Sequence, residues 1–139
     1  MFPEETTFGI ESKLRSIESR VGYQLPSDYC DFMKSGKQAT AIGRTFHIPE
    51  CKAAATIGNL LDFDESYGLF VWLNEIGDEL PAAHFPIGFD PGGNAIIMDA
   101  TTGWIYYWDS ARHFPGSSDE DNVYLIAKSF SEFLDGLYD

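Results

Sequence analysis

The sequence predicts an α+β fold: a mostly antiparallel β-sheet with an N-terminal helix pair, one inserted helix and a C-terminal helix. Three observations predict it. Apolar residues recur at helical spacing near both ends of the chain, short strand-like runs bounded by Gly, Pro and Asp fill the middle, and no internal repeat is present. The 139 residues are enough to bury a proper core, contain no long linker, and read as one domain spanning 1–139. A composition of 44% hydrophobic and 15% aromatic residues suits a globular, aromatic-rich interior.

Between Phe8 and Val21, the residues Ile10, Leu14, Ile17 and Val21 mark one face of an amphipathic helix, and Gly22 is placed to stop it. Leu25-Pro26 is extended, because the residue before proline avoids helix. Ser27 is expected to cap the second helix and Asp28 to favour its positive N-terminus, with Tyr29, Phe32 and Met33 on one face and Gly36 at the end. Arg44 to Pro49 and Ala55 to Leu61 read as two strands, the second interrupted by Gly58. "DFDES" leads into a third helix with Leu69, Trp72, Leu73 and Ile76 on one side, closed by Gly77. Three strand-like runs follow: Ala83 to Gly88, Asn94 to Asp99 and Trp104 to Asp109. After the polar, acidic loop "PGSSDED", Asn122 to Ala127 reads as a short edge strand. In the last helix Ser129 and Glu132 form a capping box, Phe130, Phe133, Leu134 and Leu137 supply the apolar face, and Gly136 closes it.

The hairpin can be set in register. With Ala100 to Gly103 as the turn, one face holds Ile96, Met98, Ile105 and Tyr107, an ordinary core face. The other holds Ile97, Trp104, Tyr106 and Trp108, so it too is apolar. Either the rest of the chain covers this second face or a partner does; the first is the expectation, since Tyr and Trp are as often core as interface.

Charge narrows the function. Against 22 Asp and Glu stand 9 Lys and Arg, a formal net charge of −13. Such a surface repels nucleic acid and anionic membranes and attracts cationic partners, whose association it can speed by roughly 10- to 1000-fold. No apolar run approaches the roughly 20 residues of a spanning helix, and "MFPEETTFGI" is unlike a signal peptide, so a cytoplasmic protein is expected. Cys30 and Cys51 are too few for a disulfide framework and read as small apolar fillers in the reduced state.

Catalytic chemistry finds little support. Gly-x-Ser-x-Gly is missing, His47, His84 and His113 form no metal-binding pair, and "DPGGN" lacks the spacing of either glycine-rich phosphate loop. Asp99 and Asp109 stand roughly 17 Å apart along the hairpin, too far to share a metal or a scissile bond. Asp90 and Asp109 can approach each other with Asn94 between them. Asp90 nevertheless has a simpler task in an Asp-Pro-Gly turn, bonding the backbone two residues on while Gly supplies positive φ. "DFDES" fails as a calcium loop, with Tyr67 and Leu73 where glycine and glutamate are needed. No basic-aromatic groove for nucleic acid is visible. No catalytic residue, metal ligand or cofactor is assigned.

Three ordered segments carry a family resemblance. "IESRVGYQLPSDYCDFM" supplies Leu25, Pro26, Tyr29 and Phe32. "FPIGFDPGGNAIIMDATTGWIYYWD" supplies Pro86, Ile87, Gly88, Asp90, Gly93, Asn94, Tyr106, Trp108 and Asp109, and "AKSFSEFLDGL" supplies Ser129, Phe130 and Phe133. Together they resemble the SUKH superfamily, the Smi/Knr-type domain named after a yeast cell-wall regulator. Two departures are "KSGKQA" in place of Asn-Gly-Gly and Ser110 in place of His after Trp-Asp. The resemblance implies a non-enzymatic α+β protein-binding domain. In bacteria such domains are mostly immunity proteins that neutralise toxin domains, often nucleases; in fungi they are interaction modules in cell-wall signalling.

The expected function is therefore neutralisation of a basic toxin domain by direct binding. The alternative is a regulatory interaction module without a toxin partner. Candidate steering acids are Asp62, Asp64 and Glu65 at the start of the third helix and Asp119, Glu120 and Asp121 in the polar loop. Trp104 and Trp108 are the candidate anchors.

Overall fold

The computed structural model describes residues 3–63, 66–109 and 122–139. Helix α1 (Pro3–Val21) turns at Gly22 into α2 (Ser27–Ser35), which ends at Gly36 with left-handed φ. A hairpin of β1 (Thr45–Ile48) and β2 (Ala53–Thr56) follows, then the short β3 (Asn59–Leu60) and helix α3 (Leu69–Ile76). The strands β4 (His84–Phe89), β5 (Ala95–Asp99), β6 (Ile105–Trp108) and β7 (Val123–Ala127) precede helix α4 (Phe130–Asp135). Among the described residues the strands form two antiparallel sheets, β1-β2 and the five-stranded β3-β4-β5-β6-β7, so the fold is α+β.

The hairpin register is the one the turn dictates. Ile96 lies opposite Tyr107, Ile97 opposite Tyr106 and Met98 opposite Ile105. Gly103 takes φ +80° and donates its amide to the Asp99 carbonyl at 2.7 Å, which closes the turn. Strict alternation then sends Phe85, Ile96, Met98, Ile105 and Tyr107 to one face of the sheet. There they meet Leu14 and Ile17 of α1, Tyr29 and Met33 of α2, and Phe130 and Phe133 of α4 in the main core. The other face carries Ala95, Ile97 and Trp108, closed by Leu80 and flanked by Ile76, Phe89, Tyr106 and Val123. Its cover is thus the chain that leaves α3, and it reaches the β4-β5 side of the sheet.

Four local expectations are corrected. Ala55 to Leu61 is not one strand: the chain leaves the small sheet after Thr56 and joins the large one at Asn59. Gly58 is the hinge, because a Cβ there would stand 3.0 Å from the Phe89 carbonyl oxygen. Ser27 does not cap α2; it is the first helical residue, and the Pro26 carbonyl accepts the Cys30 amide at 3.1 Å. Asp28 does sit in the first turn, where its Oδ1 accepts the Tyr29 amide at 2.8 Å, and its Oδ2 also reaches α4, accepting both the amide and the hydroxyl of Ser131 at 2.9 Å. Helix α3 starts at Leu69, later than an acidic start at "DFDES" implies, with no acid in its first turn, and the Leu69 amide donates to the Asp62 carbonyl at 2.7 Å. At α4, Ser129 Oγ accepts the Glu132 amide at 2.9 Å, but Glu132 returns the bond to the amide of Lys128 rather than that of Ser129.

Candidate interaction surface

The family-like segments converge inside the molecule. Tyr29 of the first packs edge-on against Phe85 at 5.7 Å and against Phe130 of the third at 5.1 Å, while Phe32 lies 5.0 Å from Phe130. Pro26 seats on the hairpin turn, where a Cβ added to Gly103 would stand 3.1 Å from its Cγ. Pro86 and Ile87 are buried. A Cβ on Gly88 would meet the Asn59 carbonyl oxygen at 2.5 Å, so only glycine lets β3 pair there.

The Asp90 corner is a structural device of the same kind. Its carboxylate accepts the Asn94 amide at 2.9 Å, the Asn94 side-chain amide at 3.4 Å and the Tyr107 hydroxyl. The bond reaches four residues on, not two, because Gly93 at φ +88° carries the chain round a longer turn. Burial first, and then the Asp90 hydrogen bond and charge, push the Tyr107 hydroxyl far above its usual range; Asp109 adds a smaller push. Asp109 itself is fully buried after β6, its amide donating to the Asn122 carbonyl at 2.8 Å. Asp90, Asn94 and Asp109 therefore do come together, around the Tyr107 hydroxyl. Among the described residues no group of three His, Cys, Asp or Glu side chains is placed to hold a metal ion.

The anchor candidates sit on the outer sheet face. Trp108 is buried, at 8% exposure, against Leu80 and Ala95. Trp104 is partly exposed, and the Lys128 ammonium stands over its ring at 5.2 Å. Asp62 is exposed beside the start of α3. Asp64, Glu65, Asp119, Glu120 and Asp121 lie outside the described residues.

Tyr106 is the centre of the surface that remains. It lies between Ile97 and Leu125 in register and is partly exposed. The His84 ring stands 5.6 Å away. Asp99, two residues from Ile97 on the same face, is its diagonal neighbour. On the far side Glu50 Oε1 accepts the Leu125 amide at 2.9 Å, at the outer edge of β7. Burial, then the charges of Asp99 and Glu50, raise the Tyr106 hydroxyl above its usual range. Burial opposes ionisation of Asp99, but the Thr101 hydroxyl and amide, together with His84, outweigh it and hold that carboxyl low. Sequence reasoning missed Glu50, whose role depends on the fold bringing β7 beside it. Asp99 was within reach, because the hairpin register alone makes it a neighbour of Tyr106.

The layers differ in charge. Residues 1–44 hold six Lys and Arg against six Asp and Glu, whereas residues 45–139 hold three against sixteen, so the whole net charge of −13 belongs to the later part. Helices α1 and α2 lie on the main-core side of the sheet, opposite the Tyr106 face. Among the described residues no helix is long and apolar enough to cross a membrane.

Among the described residues these features define an α+β domain of helices packed on two antiparallel sheets. Residues 11–136 match the model of the SMI1 / KNR4 family (SUKH-1), and the chain belongs to that family, which is generally non-catalytic and known in immunity-type proteins. It is 31% identical over 145 aligned positions to the SPbeta prophage-derived uncharacterized protein YokK of Bacillus subtilis (strain 168), covering 91% of this chain and 73% of that protein. No solved structure gives a significant match.

Proposed function

We propose that this protein is a cytoplasmic immunity protein that neutralises a basic, nuclease-type toxin domain by binding it directly, without catalysis, metal or cofactor. The observation that carries the reading is a SUKH-1 domain whose entire net charge of −13 falls on residues 45–139. A nuclease needs cationic groups to hold phosphates, and an acidic protein competes for those same groups. In this reading Asp62, Asp64 and Glu65, with Asp119, Glu120 and Asp121, steer the approach. Trp104 and the edge of Trp108 contribute to the desolvated contact that slows dissociation.

The test is to search the adjacent reading frames for a toxin domain and to express it with and without this chain. Rescue of growth together with recovery of a stoichiometric complex is expected. Rescue without a complex, or no rescue by a soluble and folded protein, would overturn the reading.

A further inference from the structure

We propose that the outer face of β5, β6 and β7 holds one basic side chain of the partner protein, an arginine or a lysine, laid on the Tyr106 ring and Leu125 between the carboxylates of Asp99 and Glu50. The proposal rests on the reading above and names the contact that reading leaves open.

Register sets Tyr106 opposite Leu125 with Asp99 diagonal to it, and a hydrogen bond brings Glu50 to the far side. Asp99 ends β5 and Tyr106 is central in β6. Leu125 faces it on β7, and Glu50 is fixed at the outer edge through the Leu125 amide at 2.9 Å. Among the described residues Leu125 joins neither apolar cluster, and Leu80 closes the face over Ala95, Ile97 and Trp108, with Tyr106 packed, partly buried, at the edge of that cluster. The patch is therefore a partly uncovered aromatic and aliphatic strip with a carboxylate at each end.

Such a strip has a natural occupant. A neutral apolar side chain would cover the ring but bring nothing to the two carboxylates. An acidic one would be repelled by both. A long cationic side chain satisfies every part: its methylenes lie on Leu125, its charge stands over the aromatic face, and its donors reach the acids. Among the described residues the nearby cations do not fill the place. Lys128 is engaged over Trp104 at 5.2 Å, and His84 lies on the β4 side with Nδ1 2.9 Å from the Ala82 carbonyl oxygen. Glu50 Oε1 is the sole Glu50 atom used in binding Leu125, and the carboxylate has no cationic partner among the described residues. The charge asymmetry acts in the same direction, since this face lies opposite the neutral α1-α2 layer.

A hexa-arginine peptide titrated into the labelled protein, with amide shifts recorded, tests the site directly; a hexa-citrulline peptide is the neutral control. Shifts are expected to concentrate at residues 97–99, 104–107 and 123–127 and to be absent with citrulline. Tyr106→Leu should weaken binding about threefold, and Glu50→Gln with Asp99→Asn about tenfold, with the remaining amide spectrum unchanged. The Gln and Asn keep the acceptors for the Leu125 and Thr101 amides, so a lost fold does not imitate a lost site. Shifts spread over all acidic surfaces, or unaltered affinity in these variants, would overturn the proposal. A toxin complex that forms equally well with the variants would overturn this site and leave the immunity reading standing. Localised peptide binding without any toxin complex would do the reverse.

Discussion

Tyr29 carries a hydroxyl into the main core, where the residue is 1% exposed and the oxygen has no hydrogen-bond partner among the described residues. Burial, foremost, raises its ionisation far beyond the usual tyrosine range, so it enters the core neutral. An unsatisfied buried hydroxyl costs about 1–3 kcal/mol. Tyr29→Phe keeps the ring contacts with Phe85 and Phe130 and should therefore stabilise the protein by about 1 kcal/mol, read as a higher urea midpoint with unchanged slope. Tyr107 is the opposite case. Its hydroxyl donates to Asp90, so Tyr107→Phe leaves a carboxylate lone pair without that partner and should cost about 1.5–3 kcal/mol. Asp99 adds a pH signature. Its folded carboxyl lies below the ordinary value of 3.8, so its stabilising effect is present above that value and disappears as pH falls through the folded value. Urea unfolding at pH 6 should find Asp99→Asn less stable than the parent protein, and the gap should close by about pH 2.

Among the elements, those with a local chemical reason were legible in the chain. The β5-β6 hairpin, the helix faces and the Ser129 cap all depend on neighbours a few residues apart. What escaped depends on distant partners. The break at Gly58 exists because β3 must approach the Phe89 carbonyl, and the second carboxylate oxygen of Asp28 finds Ser131 because α2 packs on α4. Glu50 finds Leu125, 75 residues away in sequence. The second hairpin face was expected to be covered by the chain, and Leu80 covers part of it; the open remainder at Tyr106 depends on how far that segment reaches. Two glycines separate the local from the long-range constraint. Gly93→Ala meets open space and bears only its positive φ, so a loss of about 1 kcal/mol is expected. Gly88→Ala drives a methyl into the Asn59 backbone at 2.5 Å and should cost about 3 kcal/mol, with β3 amides losing exchange protection first. Equal losses in the two variants would mean that β3 does not pack on β4 as described.

For the whole molecule, the core and the surface answer to different residues. The three family-like segments meet in the interior and explain why this chain folds as a SUKH-1 domain. They leave partner choice to the surface, where the charge is polarised between a neutral first third and a strongly acidic remainder. In the proposed function that polarity steers a cationic partner over long range, an effect screened by salt over a distance of about 8–10 Å at physiological strength. The most direct test of the central claim is the association rate of this protein with the basic toxin domain proposed as its partner, measured by stopped flow over a salt series. The account predicts a rate that falls roughly tenfold or more between low and moderate salt, with a shallower slope when Asp62, Asp64 and Glu65, or Asp119, Glu120 and Asp121, are reversed to lysine. A rate that ignores salt, and ignores both sets of reversals, would contradict it.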